Sequence, residues 1–204
     1  MDSGQASGDV FHSQKRPING ANPMKSLKEK LTTTWQERQT LGLPSVLARE
    51  LSSAELAARI DHTSLRGGVL PVEIEQLARD GRGLGAASVC VHPGFLPTVT
   101  PLLQGSPTLA CTVLNFPFGF QDPDAVLYEL EQSKRLGAQE LDIVMRYGDL
   151  RAQRYEQVYS ELCRWIEQAG TTPVKVIIES GVLSNEEIIH CCEIYAGAGV
   201  DLQP

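Results

Sequence analysis

The sequence predicts an α/β fold of the TIM (β/α)8-barrel type, incomplete, with about five to six of the eight βα units present. Three observations carry this prediction. Short apolar runs alternate with capped, amphipathic stretches through residues 51–204. The runs start at roughly the 30-residue spacing of a βα unit. They are continuously apolar rather than alternating, as strands are when helices cover both faces of a parallel sheet. Right-handed crossovers then leave an open doubly wound sheet or a barrel. No Gly-rich phosphate-binding turn follows the first run, which disfavours the doubly wound dinucleotide-binding arrangement and leaves the barrel. A closed barrel takes eight units in about 250 residues, and this chain has 204.

Residues 1–50 read as an N-terminal extension. Met1 to Pro23 are rich in Gly, Ser, Asn, Gln and Pro without apolar period, the composition of a disordered leader. Ser26 and Glu29 form a capping-box pattern, with Leu27, Leu31 and Trp35 following at helical spacing; Gly42 and Pro44 break that short helix. The barrel part spans 51–204 and opens with a second capping box, Ser52 and Glu55. A first apolar run ends at Ile60-Asp61, and further runs cover Ala87 to Val91, Leu109 to Leu114, Leu141 to Met145 and Val174 to Ile178. Asp122 is an N-cap with Pro123 at the first helical position, and Gly137 closes that helix. Val158, Leu162, Trp165 and Ile166 form an apolar stripe that Gly170 ends, and Ser184 with Glu187 opens the last helix.

Composition narrows the function. The chain carries 18 basic and 25 acidic residues, a net charge of -7. With no Lys/Arg run, it lacks the basic face of a nucleic-acid partner. No stretch approaches the roughly 18 apolar residues of a membrane span, and the N-terminus has neither the basic nor the apolar segment of a secretory signal. Five cysteines without framework spacing suit reduced thiols, and so a cytoplasmic location.

Function in βα proteins sits at the C-terminal ends of the strands, and three polar residues within the runs need a reason. Lys175 interrupts Val174 to Glu179. It is either an edge-strand lysine whose head reaches solvent or an amine of depressed pKa that attacks a carbonyl to form a Schiff base. Lowering a lysine pKa from about 10.4 to near 7 requires roughly 4–5 kcal/mol. Asp142, within Glu140 to Met145, is either paired with Arg146 or bonded to strand-end amides, or else holds a water or hydroxyl for proton transfer. Asp61 is either the cap of the turn after the first run or a member of the site. The Cys90-Val91-His92 and His190-Cys191-Cys192 segments lack zinc-site spacing, so no metal is expected, and Cys90 and Cys111 read most simply as core.

Five segments taken together are more specific: Ile60-Asp61-His62-Thr63, Ala87 to Pro93, Asn115-Phe116-Pro117-Phe118-Gly119, Glu140 to Val144, and Val174 to Glu179. In this order and spacing they resemble deoxyribose-phosphate aldolase, a class I aldolase family with a (β/α)8 barrel, over Ser52 to Ala198. The resemblance implies that Lys175 forms the Schiff base and that Asp142 assists proton transfer. It also implies that Asp61 and Cys90 line the barrel mouth as substrate-binding positions. The reaction it implies is reversible cleavage of 2-deoxy-D-ribose 5-phosphate to glyceraldehyde 3-phosphate and acetaldehyde. That is a step of deoxyribonucleotide and carbohydrate catabolism, without metal or organic cofactor. The expected partner is a small phosphorylated sugar, and a homo-oligomer is compatible with the pattern. The chain departs from the family after Ala196-Gly197-Ala198, where a second lysine and the phosphate-binding strands would follow, and at Arg146, where the family often has Asn. Arg146 would either pair with Asp142 or place a cation near the amine. The alternatives are a catalytically inactive truncated fragment that folds or assembles only with a partner, and a Schiff-base barrel for a different phosphorylated sugar.

Overall fold

The computed structural model describes residues 51–198; the expected extension, residues 1–50, lies outside them. The chain runs α1 (Ser53–Ala57), β1 (Asp61–Ser64), α2 (Pro71–Leu84), β2 (Ser88–Val91), α3 (Leu96–Leu103), β3 (Leu109–Leu114), α4 (Pro123–Arg135), β4 (Glu140–Val144), α5 (Tyr147–Arg151), α6 (Tyr155–Ala169), β5 (Val174–Ile177) and α7 (Asn185–Ala198). The five strands form one parallel sheet in the order β1-β2-β3-β4-β5. That order separates the two topologies left open above. A doubly wound sheet reverses its strand order partway, whereas each strand here joins its predecessor, as in a barrel.

β1 and β5 share no hydrogen-bonded pairing, so the barrel is open between them. The sheet is nevertheless strongly curled. Flat, with strands about 4.8 Å apart, β1 and β5 would lie roughly 19 Å from each other, a span no lysine side chain covers. Yet Lys175 on β5 donates a hydrogen bond to Asp61 on β1 across the concave face. The helices lie on the other face. α2 packs on β1, β2 and α3, and α4 packs on β3 and α6. Gly81 permits the closest of these approaches, since a Cβ there would meet Val89 Cγ2 at 2.4 Å.

The predicted helix ends hold. Ser52 and Glu55 cap each other, as do Ser184 and Glu187. The Asp122 carboxylate accepts from the amides of Asp124 and Ala125. Gly137 (φ 94°) and Gly170 (φ 65°) end their helices in the left-handed region. The first strand differs from its expectation. Asp61 begins β1 instead of ending it, because the apolar Leu56 belongs to α1 and the strand itself reads Asp-His-Thr-Ser. β1 is polar because it is an edge strand whose inward residues face the open side of the barrel. Among the described residues no helix is long and apolar enough to cross a membrane.

Candidate active site

Strand alternation and register together assemble the site. Asp61 pairs with Ser88, Cys90 with Cys111, Cys111 with Glu140, and Asp142 with Lys175, so these side chains share the concave face. Lys175 Nζ donates to Asp61 Oδ2 and lies 3.0 Å from Glu140 Oε1 and 3.2 Å from Asp142 Oδ1. Ser88 Oγ donates to Asp61 Oδ1 at 2.6 Å, fixing that carboxylate from its other side. Cys90 Sγ lies 3.9 Å from Asp142 Oδ2. Alongside this polar group Cys90, Cys111 and Val113 form an apolar floor with Leu65, Phe116 and Ile177, the last three at the C-terminal ends of their strands.

One cation thus serves three carboxylates. Burial alone would lower the Lys175 pKa, but its hydrogen bond to Asp61, the charge of Asp142 and the contact with Glu140 outweigh burial and raise it above the ordinary lysine value. The direction is opposite to the depressed value expected of a lysine alone in an apolar strand. For Asp61 burial works against the charge, yet the bonds from Lys175 and Ser88 prevail and hold its pKa below the usual range. Asp142 goes the other way. Burial dominates, the Lys175 charge only partly offsets it, and neighbouring Glu140 adds to the rise. The Asp142 Oδ1 atom is buried, and the Lys175 ammonium stands 3.2 Å from it.

The sulfurs of Cys90 and Cys111 and a carboxylate oxygen of Asp142 all lie within 4.8 Å of one another, a grouping a metal ion could bridge. In this structure the Asp142 carboxylate of that grouping faces the Lys175 ammonium, 3.2 Å from its Oδ1.

Residues 56–202 match the model of the DeoC/LacD family of aldolases. The chain belongs to that family. It is 38% identical over 146 residues to a deoxyribose-phosphate aldolase of Lysinibacillus sphaericus, covering 71% of this chain and 66% of that protein. Identity is also 38% over 155 residues with the Carboxydothermus hydrogenoformans enzyme of the same name, covering 74% and 68%. Among solved structures, one from Coccidioides immitis, provisionally named deoxyribose-phosphate aldolase, superposes with a TM-score of 0.77 at 28% identity over 89% of this chain and 71% of its own. The Aeropyrum pernix deoxyribose phosphate aldolase, described as a unique tetramer, gives 0.67 at 26% identity over 74% and 63%. The chain therefore spans about two thirds of the length of the curated relatives it matches.

Within this family member, Lys175, Asp142, Asp61 and Cys90 do come together, and Cys90, 2% exposed, lies in the floor 3.9 Å from Asp142 Oδ2. Arg146 meets neither expectation. It turns away from Asp142 to bond Asp149 at 2.9 Å and to lie 3.6 Å from Glu161. Sequence reasoning missed Glu140, Ser88 and Cys111 as members of the cluster. Glu140 was within reach, since it stands two residues before Asp142 on one strand and so on the same face. Ser88 and Cys111 needed the register across β1, β2 and β3, which no local pattern encodes.

Proposed function

We propose that this chain belongs to a deoxyribose-phosphate aldolase, a lyase that cleaves 2-deoxy-D-ribose 5-phosphate reversibly to glyceraldehyde 3-phosphate and acetaldehyde by Schiff-base chemistry. The observation that carries the reading is the Lys175–Asp142 pair on the concave face, where the resemblance expects amine and proton-transfer chemistry. Asp142 is suited to the proton-transfer role. Its raised pKa brings it towards the range in which a carboxyl group both takes and gives a proton near neutrality, and its Oδ1 lies 3.2 Å from the amine it would serve.

In our reading Lys175 is the amine that forms the Schiff base, and Asp61, Glu140 and Asp142 around it are the carboxylates that can take up its proton before it attacks a carbonyl. The other lysine among the described residues, Lys134, donates to the carbonyls of Gln168 and Ala169 on the helical side. The substrate is a phosphorylated sugar. A cytoplasmic setting fits the five free cysteines, and association into a homo-oligomer is in keeping with the tetramer named for the Aeropyrum pernix relative.

The test is acetaldehyde release from 2-deoxy-D-ribose 5-phosphate, followed through a coupled dehydrogenase, with borohydride trapping and peptide mapping of the lysine adduct. Release should fall about 100-fold or more in Asp142→Asn, and the adduct should map to Lys175. No release by the folded protein would overturn the aldolase reading. An adduct confined to another lysine would overturn the role proposed for Lys175.

A further inference from the structure

The loop between β3 and α4, residues 115–122, overhangs the C-terminal end of the sheet and has little apolar anchoring of its own. Phe118 and Phe120 are each 62% exposed. Only Phe116 reaches inward, packing on the floor formed by Cys90, Cys111 and Val113 and meeting the His92 ring edge-on at 5.6 Å. Something other than burial must therefore hold the loop in place.

The exit of β4 supplies it residue by residue. Val144 O accepts from Asn115 Nδ2 at 2.7 Å, while Asn115 Oδ1 accepts from the amide of Gln121 at 3.0 Å. Gly119 (φ 69°) lies so close to Met145 that a Cβ would stand 2.1 Å from its carbonyl oxygen. The Phe120 and Tyr147 rings meet at 5.5 Å with their planes tilted by 53°, and Gly148 lies against Phe120. Arg146 closes the far end of the loop, donating through Nη1 to Gln121 O at 2.9 Å. Arg146 is itself immobilised: Nε donates to Asp149, Glu161 lies 3.6 Å away, and Asp149 also accepts from Arg154. The guanidinium is 22% exposed and the two acids about 7–8%. Two donors of the planar guanidinium, Nε and Nη1, thus tie Asp149 on α5 to one loop carbonyl, with Glu161 of α6 beside Nε, a geometry a lysine cannot reproduce.

We propose that Arg146 is a positioning residue that latches the β3–α4 loop to the β4 exit and so keeps Phe116 over the floor on which Asp142 stands. Arg146 touches none of the reacting groups; it acts through the loop. Where substrate binding is concerned the proposal rests on the aldolase reading, because a loop set over the site matters to KM only if the site turns over substrate.

The experiment is amide hydrogen exchange on the full chain and on Arg146→Lys and Arg146→Met, with steady-state kinetics on 2-deoxy-D-ribose 5-phosphate. In Arg146→Met, amides of residues 118–121 should exchange at least roughly tenfold faster, while those of β2 and β3 stay protected. Arg146→Lys keeps a charge beside Asp149 and Glu161 but loses the fork, so it should fold normally and still show the faster loop exchange. KM should rise several-fold in both variants, with kcat less affected. Unchanged exchange at residues 118–121 in Arg146→Lys overturns the latch. So does acceleration spread evenly over β2 and β3, which would make Arg146 merely structural. Absence of turnover in the unsubstituted protein counts against the aldolase reading alone, because the exchange pattern is read without substrate.

Discussion

Lys175→Met removes the one cation from the concave face and leaves Asp61, Glu140 and Asp142 facing each other. The cost is bounded on both sides. An exposed ion pair contributes at most about 1 kcal/mol, whereas removing one partner of a fully buried pair costs about 3–5 kcal/mol. Lys175 is 41% exposed at its side chain, but Glu140 and Asp142 only about 15%, so the site falls between these limits, at about 2 kcal/mol. For a domain of this size that lowers Tm by about 4–8 °C. The assay is urea denaturation followed by Trp165, which is buried in α6, at pH 7 and at pH 5. The pH dependence has a definite sign. The Lys175 pKa is raised in the fold, so its contribution is complete below the unfolded lysine value of about 10.4 and does not change between pH 5 and 7. Asp142 already has a raised pKa, and losing the cation raises it further, so on acidification the variant takes up the proton that relieves the repulsion. The difference from the unsubstituted protein should therefore shrink by about 1 kcal/mol at pH 5. A loss below about 0.5 kcal/mol at pH 7, or a gap that widens on acidification, would refute a cation shared by three carboxylates.

Gly119→Ala should destabilise by about 3 kcal/mol, since the residue has positive φ and its new methyl meets a backbone carbonyl; thermal melting checks this, and a shift under 2 °C would contradict it. Asn115→Ala removes buried bonds to Val144 O and from the Gln121 amide; a loss of about 2–4 kcal/mol is expected from urea titration. Asp149, bonded by Arg146 and Arg154 against the opposing effect of burial, has a lowered pKa. Its contribution is present above the unfolded value of about 3.9 and is lost as pH falls through the lower folded value. Asp149→Asn should accordingly be less stable at pH 7 and show a flatter stability profile below about pH 4, measured by Tm against pH.

Local residues determine much of this protein. Capping pairs such as Ser52 with Glu55, the Asp122-Pro123 start and the Gly137 and Gly170 stops act within one turn of chain, so they are legible as written. β2 and β3 are buried on both faces and announce themselves by continuous apolar runs; β1, an open edge, does not. Lys175, Asp142 and Asp61 stand out in sequence because polar groups in strands demand a reason, and they do converge. Their charge state was beyond the sequence. A lysine alone in an apolar strand implies a depressed pKa, and only the curl of the sheet, which carries β5 back towards β1, brings three carboxylates to it and reverses the sign. Arg146 follows the same logic. Four residues from Asp142 it invites pairing, but the chain turns outward after Met145 and delivers it to Asp149 and Gln121 instead. Periodicity and capping are properties of neighbours along the chain. Electrostatics depends on neighbours in space, and those are set by strand register and sheet curvature, which no short stretch of sequence contains.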